Sequence, residues 1–372
     1  MTTWNLTPPD GTMVEARPRI GPGKNQGLKQ HDQWVRFRDK TLEALEPARS
    51  LRKLSGAAQE KYWADRLDEA RGVHFPTPVD TRVESLLHEV YSEAQATSDG
   101  DPSVAYVYGP NGTGKSTAVE RALRKLYTQS LPEECRVAGI RPTLADETSE
   151  NQYCPVMPIR MGDAERKEAV DARILDFLGI VPAVRVRDQA LQVEHALTQC
   201  GVQILSVDET DKIKSTVVAT QEIALRWRSL SSVLARHGGM VVLIANTPAR
   251  QLLQLDQTLA SRLLSLEIPF FPAETKKEQT TFRAFLTDAE TQFRPWFPSI
   301  DLNLKQIAHH LHGETNGQIR ALSRAVCHVA IKAARMRRPA TEDMLDDFRP
   351  PAVPISSFVS TPPRRGRPKK AV

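Results

Sequence analysis

Residues 106–117 read YVYGPNGTGKST. Gly109, four residues, Gly114, Lys115 and Ser116 reproduce the P-loop spacing, in which a glycine-rich turn between a strand and a helix wraps phosphates with backbone N–H groups. A pattern this short also arises by chance, so its surroundings decide. Val104 to Tyr108, just upstream, is an apolar run of strand length, and a helical pattern starts at Ser116 with no intervening loop. Strand end, glycine turn and helix N-terminus then aim N–H groups and the positive end of the helix dipole at one point. Lys115 would neutralise the β- and γ-phosphates and Ser116 would ligate Mg2+, with Pro110, Asn111, Gly112, Thr113 and Thr117 completing an ATP-binding loop.

A second motif lies about 90 residues on. VQILSVDETD places Asp208 and Glu209 at the end of another apolar strand. An Asp there holds Mg2+ through water, and a following Glu polarises the attacking water. Around the two motifs, apolar runs at Val104 to Tyr108, Val156 to Ile159, Ile204 to Val207, Met240 to Ala245 and Leu264 to Ile268 alternate with helical patterns. Those helices are expected over Ser116 to Gln129, Glu165 to Leu178, Asp188 to Gln199 and Thr216 to His237. The alternation predicts an α/β fold with a five-stranded parallel sheet covered on both faces. Beyond Pro272 only helical patterns continue, at Lys276 to Leu286, Leu304 to Leu311 and Gln318 to Arg337, which predicts a small all-helical lid.

Three further positions bear on chemistry. VVLIANTP ends a strand in Asn246 and Thr247, a polar tip suited to orienting a water. LASRL places Arg262 just before the next strand, where it would project into a neighbouring subunit's site. TNGQIRAL starts a lid helix with Arg320 in its first turn, within reach of the γ-phosphate of its own subunit. Each arginine taken alone reads equally well as a surface charge or a structural ion pair.

Taken in order, Gly109 to Ser116, Asp208 with Glu209, Asn246, Arg262 and Gly317 to Arg320 resemble the Walker A, Walker B, sensor one, arginine finger and sensor two of an AAA+ ATPase. Within that superfamily the lead-in PTP at Pro76 to Pro78, the expected sheet order and ETNGQIRALSRAVCHVAIKAA resemble the TnsC/TniB transposition regulators, relatives of the IstB helper ATPases. The resemblance covers roughly residues 75 to 335. It implies a heptameric or hexameric ring, or a helical filament, assembled with ATP on double-stranded DNA. It also implies a TniQ-type target selector and a TnsB-like DDE transposase as partners, as in transposons of the CRISPR-associated kind, with hydrolysis disassembling the polymer. DNA contacts in such a family come from the region between the second and third strands, which here supplies Arg160, Arg166, Lys167, Arg185 and Arg187. RVRD at Arg185 is the strongest of these, and it reads as well as a solvated helix start.

The remaining sequence sets bounds. At 372 residues the chain is long enough for one large domain or two ordinary ones. Fifty Lys+Arg against 45 Asp+Glu give a net +5 and a pI near 9.0, a balance that favours an acidic partner without demanding one. Cys135, Cys154, Cys200 and Cys327 form no CxxC pair, which suits reduced thiols in the cytoplasm. No segment predicts a leader or a membrane span. The expected organisation is a flexible arm over 1–30, a helical extension over 31–74, the ATPase domain over 75–271, the lid over 272–338 and a proline-rich basic tail over 339–372. PRRGRPKK in that tail resembles an AT-hook, with Arg365 and Arg367 around Gly366 entering a narrow minor groove, and reads equally as a basic solubilising tail. Rival readings are an AAA+ helicase loader or replication initiator, and a signalling or defence NTPase switch. The first lacks a helix-turn-helix pattern after the lid, and the second has no room for its usual sensor array.

Overall fold

The computed structural model describes residues 16–18, 34, 41–96, 103–131, 142–145, 150–162, 168–183, 185–212, 217–246 and 261–350. In chain order the elements begin with β1 (Ala16–Pro18), α1 (Ala48–Leu51), α2 (Gly56–Arg71), α3 (Pro78–Ala96), β2 (Ser103–Tyr108) and α4 (Lys115–Ser130). Next come β3 (Pro142–Ala145), β4 (Glu150–Gln152), β5 (Val156–Arg160), α5 (Glu168–Leu178), α6 (Val186–Gln199) and β6 (Ile204–Asp208). The chain continues through α7 (Val217–Ala235), β7 (Met240–Ala245), β8 (Leu263–Glu267), α8 (Lys276–Phe293), α9 (Ala308–Thr315) and α10 (Ile319–Met336).

Five strands make one sheet in the order β5-β6-β7-β2-β8, every pair parallel. Strands β2, β5, β6 and β7 are mostly buried on both faces, which is why they read as apolar runs and not alternating ones, whereas the edge strand β8 is only half-buried. All six residues of β7, near the middle, are buried. Side-chain alternation splits the strands between two cores. Ala105 and Val107 of β2 face α3, α4 and the lid helices, whereas Val104 and Tyr106 face α5, α6 and α7. Because the strands are parallel, their carboxyl ends gather along one edge, bringing Gly109, Arg160, Asp208 and Asn246 together. One strand, β7, separates the P-loop strand from the strand carrying the acidic pair.

Helix ends follow local chemistry. The start of α3 is fixed by Thr77, Pro78 and Asp80. Pro78 takes the first helical position of α3, where its missing N–H costs nothing. Asp80 then accepts hydrogen bonds from Thr77 N at 2.7 Å and Thr77 Oγ1 at 2.8 Å. Thr275 and Glu278 form a reciprocal box at the start of α8. That helix runs to Phe293, two turns past the expected Leu286, because Phe282, Phe285, Leu286, Ala289 and Phe293 keep one face buried. The helix expected over Leu304 to Leu311 is a 3-10 turn, Leu304–Ile307, followed by α9.

Three further strands had no sequence signal. Within the arm expected to be flexible, Ala16–Pro18 pairs antiparallel with β3, which pairs antiparallel with β4. Strands of three or four residues are too short to show a period. The rest of the arm, 1–15 and 19–30, lies outside the described residues.

Packing ties the N-terminal extension to the lid. Cys327 Sγ on α10 lies 3.5 Å from Ala70 O on α2, Arg335 pairs with Glu60, and Trp296 Nε1 donates to Glu43 O at 3.0 Å. Phe75 sits against Phe285 and Phe293 with ring centroids 6.4 and 5.7 Å away, fixing the segment between α2 and α3 against α8. Truncating such a ring to Ala costs roughly 3–5 kcal/mol. Buried packing continues past Arg338 through Ala340, Met344, Leu345 and Phe348, beyond the boundary expected for the lid. Among the described residues no helix is long and apolar enough to cross a membrane.

Candidate nucleotide site

The P-loop runs from β2 into α4 along the strand-carboxyl edge. A Cβ on Gly109 would lie 2.1 Å from Ile268 O, because the turn passes directly under the chain leaving β8. Gly112 has φ +83, and a Cβ there would meet Gln318 Nε2 at 2.5 Å. Glycine is therefore required at Gly109 by the close backbone and favoured at Gly112 by its φ, the Gln318 side chain there being able to move. Thr113, fully buried, donates from Oγ1 to Pro110 O at 3.0 Å and closes the turn.

Lys115 is 6 % exposed. Its Nζ donates to Gly109 O and Pro110 O, each at 2.8 Å, and to Asn246 Oδ1 at 3.2 Å. All three acceptors are neutral. Burial lowers its pKa to about 8, against the opposing pull of the Asp208 and Asp211 charges, and the nearby Arg320 charge lowers it further. A buried ammonium that no carboxylate contacts directly is a position where an incoming anion gains most.

The acidic pair divides its attention. Burial raises the pKa of Asp208, against hydrogen bonds from the Ser116 hydroxyl and from Glu209 N, the latter at 2.8 Å. Glu209 sits in the left-handed region at φ 60, uncommon for a residue with a Cβ. Its carboxylate, 19 % exposed, is ion-paired with Arg160, whose side chain is 69 % exposed. Just beyond, the 3-10 turn Thr210–Lys212 crosses toward the tip of β7. Asp211 there accepts from Asn246 N at 3.1 Å and from Asn246 Nδ2 at 2.9 Å.

The lid closes the other side. Arg320 N donates to Gly112 O at 2.9 Å, and Gln318 Nε2 donates to Asn111 O at 3.0 Å, so α10 starts on the P-loop backbone itself. A cleft of about 780 Å³ lies between these parts. Asn111, Lys115, Ser116, Asp208, Glu209 and Arg320 line one end, and Val73, His74, Phe75, Ser323, Cys327 and Phe348 the other. The His74 imidazole lies 3.3 Å from Asp80, itself fixed by Thr77. Burial pushes the Asp80 carboxyl up, but hydrogen bonds from His74 and Thr77 outweigh it and hold the group below the usual range.

The donor set fits a magnesium nucleotide. Among the described residues no group of three or more His, Cys, Asp or Glu could hold a metal alone. Mg2+ carried on phosphates needs only one or two protein oxygens, and the Ser116 and Asp208 pair supplies that number.

The Bacterial TniB protein family model matches residues 78–272, just over half of the chain. The chain belongs to the TniB family. Its sheet order and lid are those of the AAA+ ATPase fold expected of TniB proteins. None of the curated proteins compared with this TniB chain matches it. Among solved structures, domain III of the Thermotoga maritima replication initiation protein DnaA aligns at 14 % identity, TM-score 0.42, over 75 % of this chain and 95 % of that one. Aeropyrum pernix ORC1 in complex with DNA aligns at 21 %, TM-score 0.46, over 73 % of this chain and 65 % of that one. Drosophila ORC bound to DNA aligns at 16 %, TM-score 0.46, over 85 % and 71 %.

Of the expected site residues, the structure gathers the P-loop, Asp208, Glu209, Asn246 and Arg320 around one cleft. Arg262 is not among the cleft residues. Its carbonyl accepts from Val104 N at 3.2 Å, at the amino end of the sheet, one strand length of roughly 16 Å from the P-loop. Arg160, read from sequence as a DNA contact, lies at this cleft against Glu209. Arg185 is exposed at the start of α6, where Arg187 occupies the first turn. Thr247, Arg166, Lys167, Arg365 and Arg367 lie outside the described residues. Sequence reasoning missed Asp211. Its signal was a third carboxylate in DETD, three residues after Asp208.

Proposed function

We propose that this TniB protein is an ATP-dependent DNA-binding ATPase that assembles with ATP on double-stranded DNA as a ring or filament, links a TniQ-type target selector to a DDE transposase, and disassembles on hydrolysis. The observation that carries the nucleotide reading is Lys115, buried, cationic and bonded only to neutral oxygens in a P-loop. The step to DNA and transposition rests on family membership.

In the reaction, backbone N–H groups of residues 111–116 and the Lys115 ammonium hold the β- and γ-phosphates. Ser116 and Asp208 would hold Mg2+, which neutralises charge developing on the transferred phosphoryl group. Asn246 orients the attacking water. Glu209 takes its proton as the oxygen bonds to the γ-phosphorus and the bond to the ADP oxygen breaks. Arg320 stabilises the γ-phosphate from its own chain, and Arg262 does so from a neighbouring one. Two substitutions separate binding from chemistry. Lys115→Ala should abolish binding of a fluorescent ATP analogue, whereas Glu209→Gln should bind it normally and hydrolyse ATP at least about a hundredfold more slowly. A Glu209→Gln variant at the wild-type rate would refute the base assignment.

A further inference from the structure

The two ends of an amide side chain differ only in chemistry, so a neighbouring charge on each end decides which way it points. Asn246 has such neighbours. Its Nδ2 and its backbone N–H meet the two carboxylate oxygens of Asp211 at 2.9 and 3.1 Å, while its Oδ1 meets the Lys115 ammonium at 3.2 Å. Turning the amide over would set its oxygen against a carboxylate and its NH2 against an ammonium, two repulsive contacts in place of two attractive ones. Asp211 is itself held in place. The preceding residue, Thr210, is buried and donates from Oγ1 to Ile244 O at 3.1 Å, two residues before Asn246. Three hydrogen bonds therefore stitch the turn after β6 to the tip of β7.

We propose that Asp211 is a positioning residue for hydrolysis, fixing the Asn246 amide so that its oxygen, and not its nitrogen, faces the nucleotide cleft. The inference rests on the ATPase reading above and assigns Asn246 a direction within it. Once the Lys115 ammonium turns to phosphate, Oδ1 is the group left facing the cleft. A water about to attack phosphorus has two protons to place and must keep a lone pair free. One proton goes toward Glu209 and the other toward Asn246 Oδ1, which leaves the lone pair aimed at the γ-phosphorus. An amide nitrogen in that place would donate to the lone pair and oppose the attack. Asn246 thus acts as an acceptor for the water and not as a donor to the γ-phosphate.

The test measures kcat for ATP with saturating duplex DNA, and the Kd of a fluorescent ATP analogue with Mg2+, in Asp211→Ala, Asp211→Asn, Asn246→Ala and the Asp211→Ala/Asn246→Ala double variant. Asp211→Ala should lower kcat about tenfold and leave Kd within about twofold. Asp211→Asn keeps an acceptor oxygen for only one of the two Asn246 donors and should recover part of the rate. In the Asn246→Ala background, Asp211→Ala should change kcat less than about twofold, because the amide it orients is gone. A full tenfold loss in that background, or an equal loss in affinity, overturns the positioning role. So does Asp211→Asn as slow as Asp211→Ala, the comparison that stands if the alanine variant fails to fold. Glu209→Gln run in parallel separates the two readings. If it turns over at the wild-type rate, the base assignment fails; if it is slow while Asp211→Ala is unimpaired, only the role of Asp211 fails.

Discussion

Raising the pH should weaken nucleotide binding through Lys115 alone, and the size of the effect follows from its surroundings. Burial brings the ammonium from 10.5 down to about 8, a penalty on the charged form of roughly 3 kcal/mol. Phosphates placed on Nζ reverse that penalty and return the group to its protonated form. Free protein therefore carries the proton about nine times in ten at pH 7 and about one time in ten at pH 9. Kd should be nearly flat up to pH 7.5 and then rise about tenfold per unit above pH 8. Binding should take up about half a proton at pH 8 and nearly a whole one at pH 9. Calorimetric titration of ATP in two buffers of different ionisation enthalpy reads the uptake directly. Lys115→Arg, which cannot deprotonate, should remove both the uptake and the slope. The stability of the unliganded fold should move the opposite way. Between pH 8 and 10.5 the unfolded chain binds this proton more tightly, so the group adds stability as pH rises through that window. Equal Kd at pH 7.5 and 9, with no proton taken up at pH 9, would refute the reasoning.

Two further outcomes are expected. Arg160→Ala releases Glu209 from its ion pair and should raise hydrolysis without DNA about three- to tenfold, the range of a partly exposed charged contact; a slower variant would place Arg160 on the phosphates instead. Arg262→Ala and Lys115→Ala should each be inactive alone, and mixtures should regain hydrolysis wherever an intact P-loop meets an intact Arg262, as read by ATPase rate against mixing ratio. No recovery in mixtures that co-assemble on DNA would make Arg262 a structural residue at the sheet's amino end.

The sheet was legible because burial leaves most of its strands as largely apolar runs, β8 at the edge being only half-buried, and the five runs match β2, β5, β6, β7 and β8 to within a residue or so at either end. The P-loop and the acidic pair were legible because phosphate chemistry dictates both residue type and spacing. Hydrogen-bond partners were not. That Arg160 reaches Glu209, or that Asp211 reaches Asn246 thirty-five residues on, depends on which strands are neighbours, and spacing along the chain does not contain that. The start of α3 was not legible either, since a proline reads equally as a break and as the first residue of a helix, which Pro78 is. Strands β1, β3 and β4 went unseen because their pairing is through backbone, with no pattern of side chains to announce it.

The attachment of α2 along α10 has a mechanical consequence. An α-helix of 18 residues is a stiff rod of about 27 Å. One end of this rod is bonded to the P-loop backbone and carries Arg320, its middle rests at Cys327 on Ala70 of α2, and Arg335 near its other end pairs with Glu60. The same rigid element that carries the arginine is therefore the one on which the N-terminal extension is seated. Where α2 sits and where the guanidinium stands over the cleft are thus set together, by one helix.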